Sequence, residues 1–243
     1  MTPGFLTAFG ASLLAGAVTT AGIFMIRRHE TWAREQATLF ACFAAGVLIA
    51  VSFLHIVPRS FAMNPRAPMF LFAGYLFMHV FNRFVTAYVC DRPETSGYAL
   101  GLVPLVGIGV HSFLDGVVYS ISFSVSAFTG ALVAIGMVLH EFPGGIVTYT
   151  LLVRGGFAEK RAFVLAFLAA AITTPAGTLV SYPLVSVVDP PLLGLLLALS
   201  AGALIYVGAT HLLPQAEREP GRYSLVALGA GILVAVGIVL SAG

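Results

Sequence analysis

Residues 4–26, GFLTAFGASLLAGAVTTAGIFMI, run for 23 positions without a charged side chain. A helix rises about 1.5 Å per residue, so a run of this length matches the roughly 30 Å hydrocarbon layer of a bilayer. Predominantly apolar runs of similar length, three of them carrying a single charged residue, recur near 37–58, 69–90, 98–125, 127–153, 162–184, 192–213 and 223–242. In lipid the backbone must satisfy its own hydrogen bonds, so such runs become helices. The pattern predicts an all-α integral membrane protein with eight transmembrane helices. With 59% hydrophobic and only 9% charged residues, the chain is far from the roughly one-quarter charged content of soluble domains. The connecting segments are short, so we expect one transmembrane domain over residues 1–243. It divides into helices 1–3 (1–90), a central pair 4–5 (98–153) and helices 6–8 (162–243).

No basic residue precedes the first run, whereas Arg27 and Arg28 follow it. A secretory signal carries its positive charge before the apolar stretch, so this run reads as a first transmembrane helix. With the N-terminus on the non-cytoplasmic side, one set of loops holds Arg27, Arg28, Arg34, Arg92, Arg154, Lys160, Arg161, Arg218 and Arg222. The other set holds only Arg59 and Arg66. This asymmetry places both termini on the non-cytoplasmic side of the plasma (cell inner) membrane. A net charge of +2 gives no reason to expect a nucleic-acid partner. Cys42 and Cys90 form no CxxC pair and read as reduced thiols.

Two pairs of words repeat. AAGVLIAVSFLHIVPRSF (44–61) and SAGALIYVGATHLLPQAE (200–217) align Gly46, His55 and Pro58 with Gly202, His211 and Pro214. HSFLDG from His111 and HEFPGG from His140 share His, Phe and Gly in the same frame. Each pair lies on spans that cross in opposite directions. An inverted repeat of helices 1–3 and 6–8 around the central pair explains both, and this is a transporter feature with its substrate site near the midplane.

The second pair of words carries the chemistry. His111 and Asp115 are four residues apart and share a helix face. His140 and Glu141 lie on the next span at similar depth. An isolated carboxylate at the bilayer centre costs roughly 2.5–3.5 kcal/mol or more, so such groups face partners or a water path. Two imidazoles and two carboxylates suit Zn²⁺ and tolerate Fe²⁺, Mn²⁺ or Co²⁺. Pro143 in mid-helix is expected to open the helix beside His140. The competing reading is a set of hydrogen bonds that only ties the two spans together. His55 and His211, one near each mouth, read equally as pathway residues or as interfacial caps before helix-ending prolines. His79 reads as a packing residue, and Arg83 as a snorkelling one. Gly101, Gly107, Gly109, Gly202 and Gly208 offer faces for close sliding contacts. An intramembrane zinc protease needs HExxH, but position 144 is glycine, and no GxSxG or phosphate loop is present. A metal-dependent intramembrane hydrolase built from scattered His and Asp is the alternative to transport.

HSFLDG followed by HEFPGG resembles the paired fourth- and fifth-helix motifs of the ZIP (Zrt/Irt-like) family of divalent metal transporters. GVLIAVSFLHIVP, ITTPAG and GALIYVGATHLLP extend the resemblance to spans two, six and seven. It implies a 3+2+3 arrangement of eight helices, non-cytoplasmic termini, frequent homodimers and no enzymatic activity. It implies Zn²⁺ as transported substrate, with Fe²⁺, Mn²⁺, Co²⁺ and Cd²⁺ as competitors, and no organic cofactor. His111, Asp115, His140 and Glu141 stand at family ligand places. Ser112 stands where many relatives have asparagine. Gly144 replaces a Glu or His of many relatives, and Thr174 a Glu of some. Those two replacements imply one principal metal ion rather than two.

Overall fold

The computed structural model describes residues 3–90, 97–214 and 223–241, and within these every long element is a helix. The loop cations Arg92, Arg218 and Arg222 lie outside the described residues, as do the side chains of Arg34, Cys90 and His211. Helix α1 is Pro3–Arg28 and α3 is Ala67–Cys90; α4 is Gly97–Val125 and α5 is Ala127–Arg154. Helix α2 runs Glu30–Met63 through a π-helical turn at Ser52–Ile56. Helix α6 runs Glu159–Val185 with a π-helical turn at Phe167–Ile172. Helix α7 is Pro190–Ile205, continued as a π-helical Tyr206–Leu212, and α8 is Ser224–Ser241. Seven of these are long and apolar enough to cross a membrane, and α3 has the length, at 24 residues.

Two expectations about proline are corrected. Pro58 does not end α2: the helix continues to Met63 because Pro58 enters a fresh helical segment near its start, where the missing N–H is not needed. Pro143 does not break α5, which keeps its helical course from Ala127 to Arg154. The departures from α geometry fall instead in the π-helical turns, two of which carry His55 and His211. π-Turns of this sort concentrate at functional positions.

Large apolar side chains face outward, including Leu225 at 81% and Leu240 at 75% exposure. The interior holds Ser12, Thr19, Ser52, Asp115, His140, Glu141 and Thr174. Polar groups in the middle under an apolar surface are the reverse of a soluble domain, as lipid on the outside demands.

The helices group across the chain triplets. Helices α1 and α5 pack extensively, as do α4 and α6, and α4 with α5; α2 packs on α8, and α3 on α7. The repeated words explain the first set. A Cβ on Gly116 would overlap the carbonyl oxygen of Thr174, and one on Gly145 would overlap that of Thr19. The matched glycines of the other words behave alike. A Cβ on Gly46 would overlap Leu228 O, and one on Gly202 would overlap Leu71 O. Lipid offers no hydrophobic drive between helices, so bare backbone surfaces in close contact do the joining. Gly202, expected on a sliding face, is therefore locked inside the α3–α7 pair. Between the two groups a Cβ on Gly136 would meet side chains rather than backbone, Leu48 Cδ2 at 2.6 Å and Val47 Cγ1 at 3.2 Å.

Candidate metal centre

The helical register of α4 sets His111 one turn before Asp115, and the α4–α5 packing brings His140 against both. Asp115 Oδ2 lies 3.6 Å from His111 Nε2 and 3.5 Å from His140 Nε2. All three ligand atoms fall within 4.8 Å of one another. Tetrahedral zinc with bonds of roughly 2.0–2.2 Å needs ligand atoms about 3.3 Å apart, so the two His–Asp separations are near that spacing.

The tautomer of His140 follows from its neighbour. Its Nδ1 lies 2.5 Å from the Met137 carbonyl oxygen, which can only accept, so Nδ1 carries the hydrogen. In the neutral ring that leaves Nε2 as a lone pair aimed at Asp115 Oδ2. Two acceptors facing each other at this distance call for a positive charge between them. Asp115 Oδ2 is buried and has no hydrogen-bond partner. Buried polar atoms almost always have one. A divalent cation satisfies the carboxylate and both imidazoles together, with Met137 O as the outer-shell partner that orients His140.

Glu141 is close by but turned elsewhere. Thr19 Oγ1 donates to Glu141 Oε2 at 2.6 Å, and Thr174 Oγ1 donates to Oε1 at 3.4 Å. It shares with the trio a cavity of about 90 Å³, also lined by Ser112 and Gly144. Ser112 and Thr174 are buried, and a Cβ on Gly144 would meet nothing within 4 Å. Beyond the trio the cavity is lined by Val147, Thr148, Ala170 and Leu212, toward the end of the bundle that bears Arg27 and Arg154. His55 is not in the cluster: its Nε2 lies 3.0 Å from Thr129 Oγ1 near the opposite end. His79 meets the Tyr206 ring edge-on.

Thr19 is the residue that sequence reasoning passed over. The signal was TTAG at 19–22 against TTPAG at 173–177, which pairs Thr19 with Thr174 and Gly22 with Gly177. The contacts repeat this pairing: a Cβ on Gly22 would overlap Phe142 O, and one on Gly177 would overlap Phe113 O. The two phenylalanines hold the third place of the repeated His-x-Phe words. Glu141 thus sits between two equivalent threonines. A Thr19→Val change removes its 2.6 Å donor without changing shape, and we expect a stability loss of about 1–3 kcal/mol. Thr174→Val, at 3.4 Å, costs less. Thermal unfolding of both variants in detergent checks the order; equal losses would break this account.

Comparison with known proteins adds an independent line. A family model described as ZIP Zinc transporter matches residues 91–240. The Zinc transporter ZupT of Chlorobium chlorochromatii (strain CaD3) is 27% identical over 263 residues, covering 96% of this chain and 97% of that protein. The Zinc transporter ZupT of Nitratidesulfovibrio vulgaris is 28% identical over 260 residues, covering 92% of each. The Zinc transporter ZIP4 of Mus musculus is 33% identical over 128 residues, 51% of this chain and 19% of that protein.

Proposed function

The chain belongs to the ZIP zinc transporter family, and from that premise we propose that it carries a divalent cation, zinc first, into the cytoplasm through the His111–Asp115–His140 centre. The observation that carries this is the buried, unpartnered Asp115 Oδ2 between two imidazole nitrogens. Glu141 holds a second negative charge beside the centre and offsets the second positive charge of the cation. Ser112 lines the wall, and Gly144 leaves open the place where a ligand for a second ion would stand. A single ion with three near ligands also admits Fe²⁺, Mn²⁺, Co²⁺ or Cd²⁺.

The driving force needs no nucleotide. A membrane potential of roughly 100 mV, negative inside, favours entry of a +2 ion by about 4.6 kcal/mol, twice the 2.3 for one charge. The positive-inside pattern supports non-cytoplasmic termini and puts the Arg27–Arg154 end in the cytoplasm. On that orientation the cavity extends from the centre toward the cytoplasm. The other half is filled by Leu48, Leu132, Val133 and Met137, all part of one core. Alternating access follows if α1, α4, α5 and α6, joined by backbone contacts, move as one body against α2, α3, α7 and α8. A homodimer, common in the family, is compatible with this cycle.

The test is uptake of radioactive zinc into proteoliposomes. His140→Ala removes one of three ligands, and uptake is expected to fall by roughly tenfold or more, less than for loss of the carboxylate. Undiminished flux would remove the centre from the route. A hydrolase would instead show turnover of a lipid or peptide with no net ion movement.

A further inference from the structure

Asp115 does not end the polar face of α4. His111, Asp115, Tyr119 and Ser122 follow at steps of four, four and three residues. At about 100° per residue they fall within roughly an 80° arc, so they form one stripe leading away from the centre toward Val125. Tyr119 and Ser122 are fully buried, and neither hydroxyl has a hydrogen-bond partner, which is also the state of Asp115 Oδ2. The neighbouring face of the same helix is different. Ser120 Oγ accepts from Ser181 Oγ at 2.7 Å and donates to Gly116 O at 3.2 Å. Ser124 Oγ, off the stripe at the end of α4, is also without a partner, but Ser120 shows that the deficit is not universal on this helix, and three consecutive stripe positions share it.

The stripe runs to a small polar cluster. Ser126, the cap of α5, donates from Oγ to Thr129 Oγ1 at 2.8 Å, and Thr129 Oγ1 lies 3.0 Å from His55 Nε2. His55 is borne by the π-helical turn of α2, whose Ser52 Oγ is also buried without a partner. Between this cluster and the centre, Tyr119 is packed in the same core as Leu48, Leu132, Val133 and Met137.

We propose that this stripe is the other half of the cation's route, a row of neutral oxygens from His55 through Ser122 and Tyr119 to Asp115. The proposal rests on the transport reading above. When the two helix groups part, water enters along the stripe and supplies the partners that its hydroxyls lack in the closed arrangement. Neutral hydroxyls replace some of a cation's water without holding it tightly, which lets an ion move on to the charged centre. His55 then serves the mouth, where it anchors the α4–α5 turn through Thr129 until an ion arrives.

Accessibility of thiols tests this directly. In a chain with Cys42→Ala and Cys90→Ala, Ser122→Cys is compared with Ser120→Cys, two positions at nearly the same depth on different faces. A membrane-impermeant methanethiosulfonate is applied to oriented vesicles from the face opposite Arg154. Reaction of the Ser122→Cys thiol, slowed by zinc, with none at Ser120→Cys is the expected result. No reaction at position 122, equal reaction at both, reaction only from the Arg154 face, or no slowing by zinc would overturn the proposal. As a second arm, Ser122→Ala and Tyr119→Phe are each expected to lower zinc uptake by roughly three- to tenfold. Wild-type uptake in both would also overturn it. If the unmodified protein moves no zinc, the transport reading itself falls, and the labelling pattern still decides whether water reaches the stripe.

Discussion

Asp115→Ala is expected to abolish any rise in thermal stability with zinc and to cut zinc uptake by about 100-fold or more, since loss of a mere outer-shell partner costs roughly 10–100-fold in metal affinity. A ligand that binds only the folded state stabilises it by about 2.7 kcal/mol at 100 times its Kd. The parent protein is expected to show that gain, and the variant is not. Asp115 has the largest effect of the three because both imidazoles are placed around its Oδ2. Without it, two neutral nitrogens must hold a doubly charged ion with no formal charge nearer than Glu141. The metal-free variant is expected to be no less stable than the metal-free parent. Alanine deletes a buried carboxylate whose oxygen has no partner, and such a group is a burden until its cation arrives. Differential scanning fluorimetry with and without zinc, paired with uptake, reads both signs. A zinc-dependent shift that survives in Asp115→Ala would exclude the carboxylate as a ligand.

Gly116→Ala is expected to destabilise the protein by about 1–3 kcal/mol although it adds a single methyl group. That methyl would overlap the Thr174 carbonyl oxygen, with Thr178 N at 2.6 Å and Gly177 C at 2.8 Å. All three are backbone atoms of α6 and cannot turn aside as a side chain can, so α4 and α6 must separate. The separation also moves Thr174 away from Glu141. Gly145→Ala on α5 meets the backbone of Thr19 on α1 in the matching way. Gly144→Ala is the control: it has open space around it, and alanine at that position gains helix propensity. Unfolding midpoints in detergent should therefore fall for Gly116→Ala and Gly145→Ala and hold or rise for Gly144→Ala. A common response from all three would refute the close-approach explanation of the repeated words.

Much of this protein follows from local properties of the chain. Runs of about twenty apolar residues fix helices because lipid leaves the backbone no other partner. The four-residue step from His111 to Asp115 fixes a shared face, and the repeated words fix which helices correspond. The helix ends were less legible: α2 spans Glu30–Met63, whereas its apolar run covers 37–58. Hydropathy marks where lipid begins, not where helical hydrogen bonding stops, and Pro58 beside a π-helical turn does not interrupt it.

What lies across a helix boundary could not be read in this way. Nothing in HEFPGG tells that His140 turns to Asp115 while Glu141, about 100° further round, turns to Thr19 and Thr174. Nor does the stripe through Tyr119 and Ser122 look unusual until its hydroxyls are found without partners. The chain alone thus determined the helices, their repeat and the depth of the ionisable groups, because those depend on register and on the solvent outside. Only the folded structure decided which side chains meet, because helices in lipid are matched by surface shape and close backbone approach rather than by hydrophobicity.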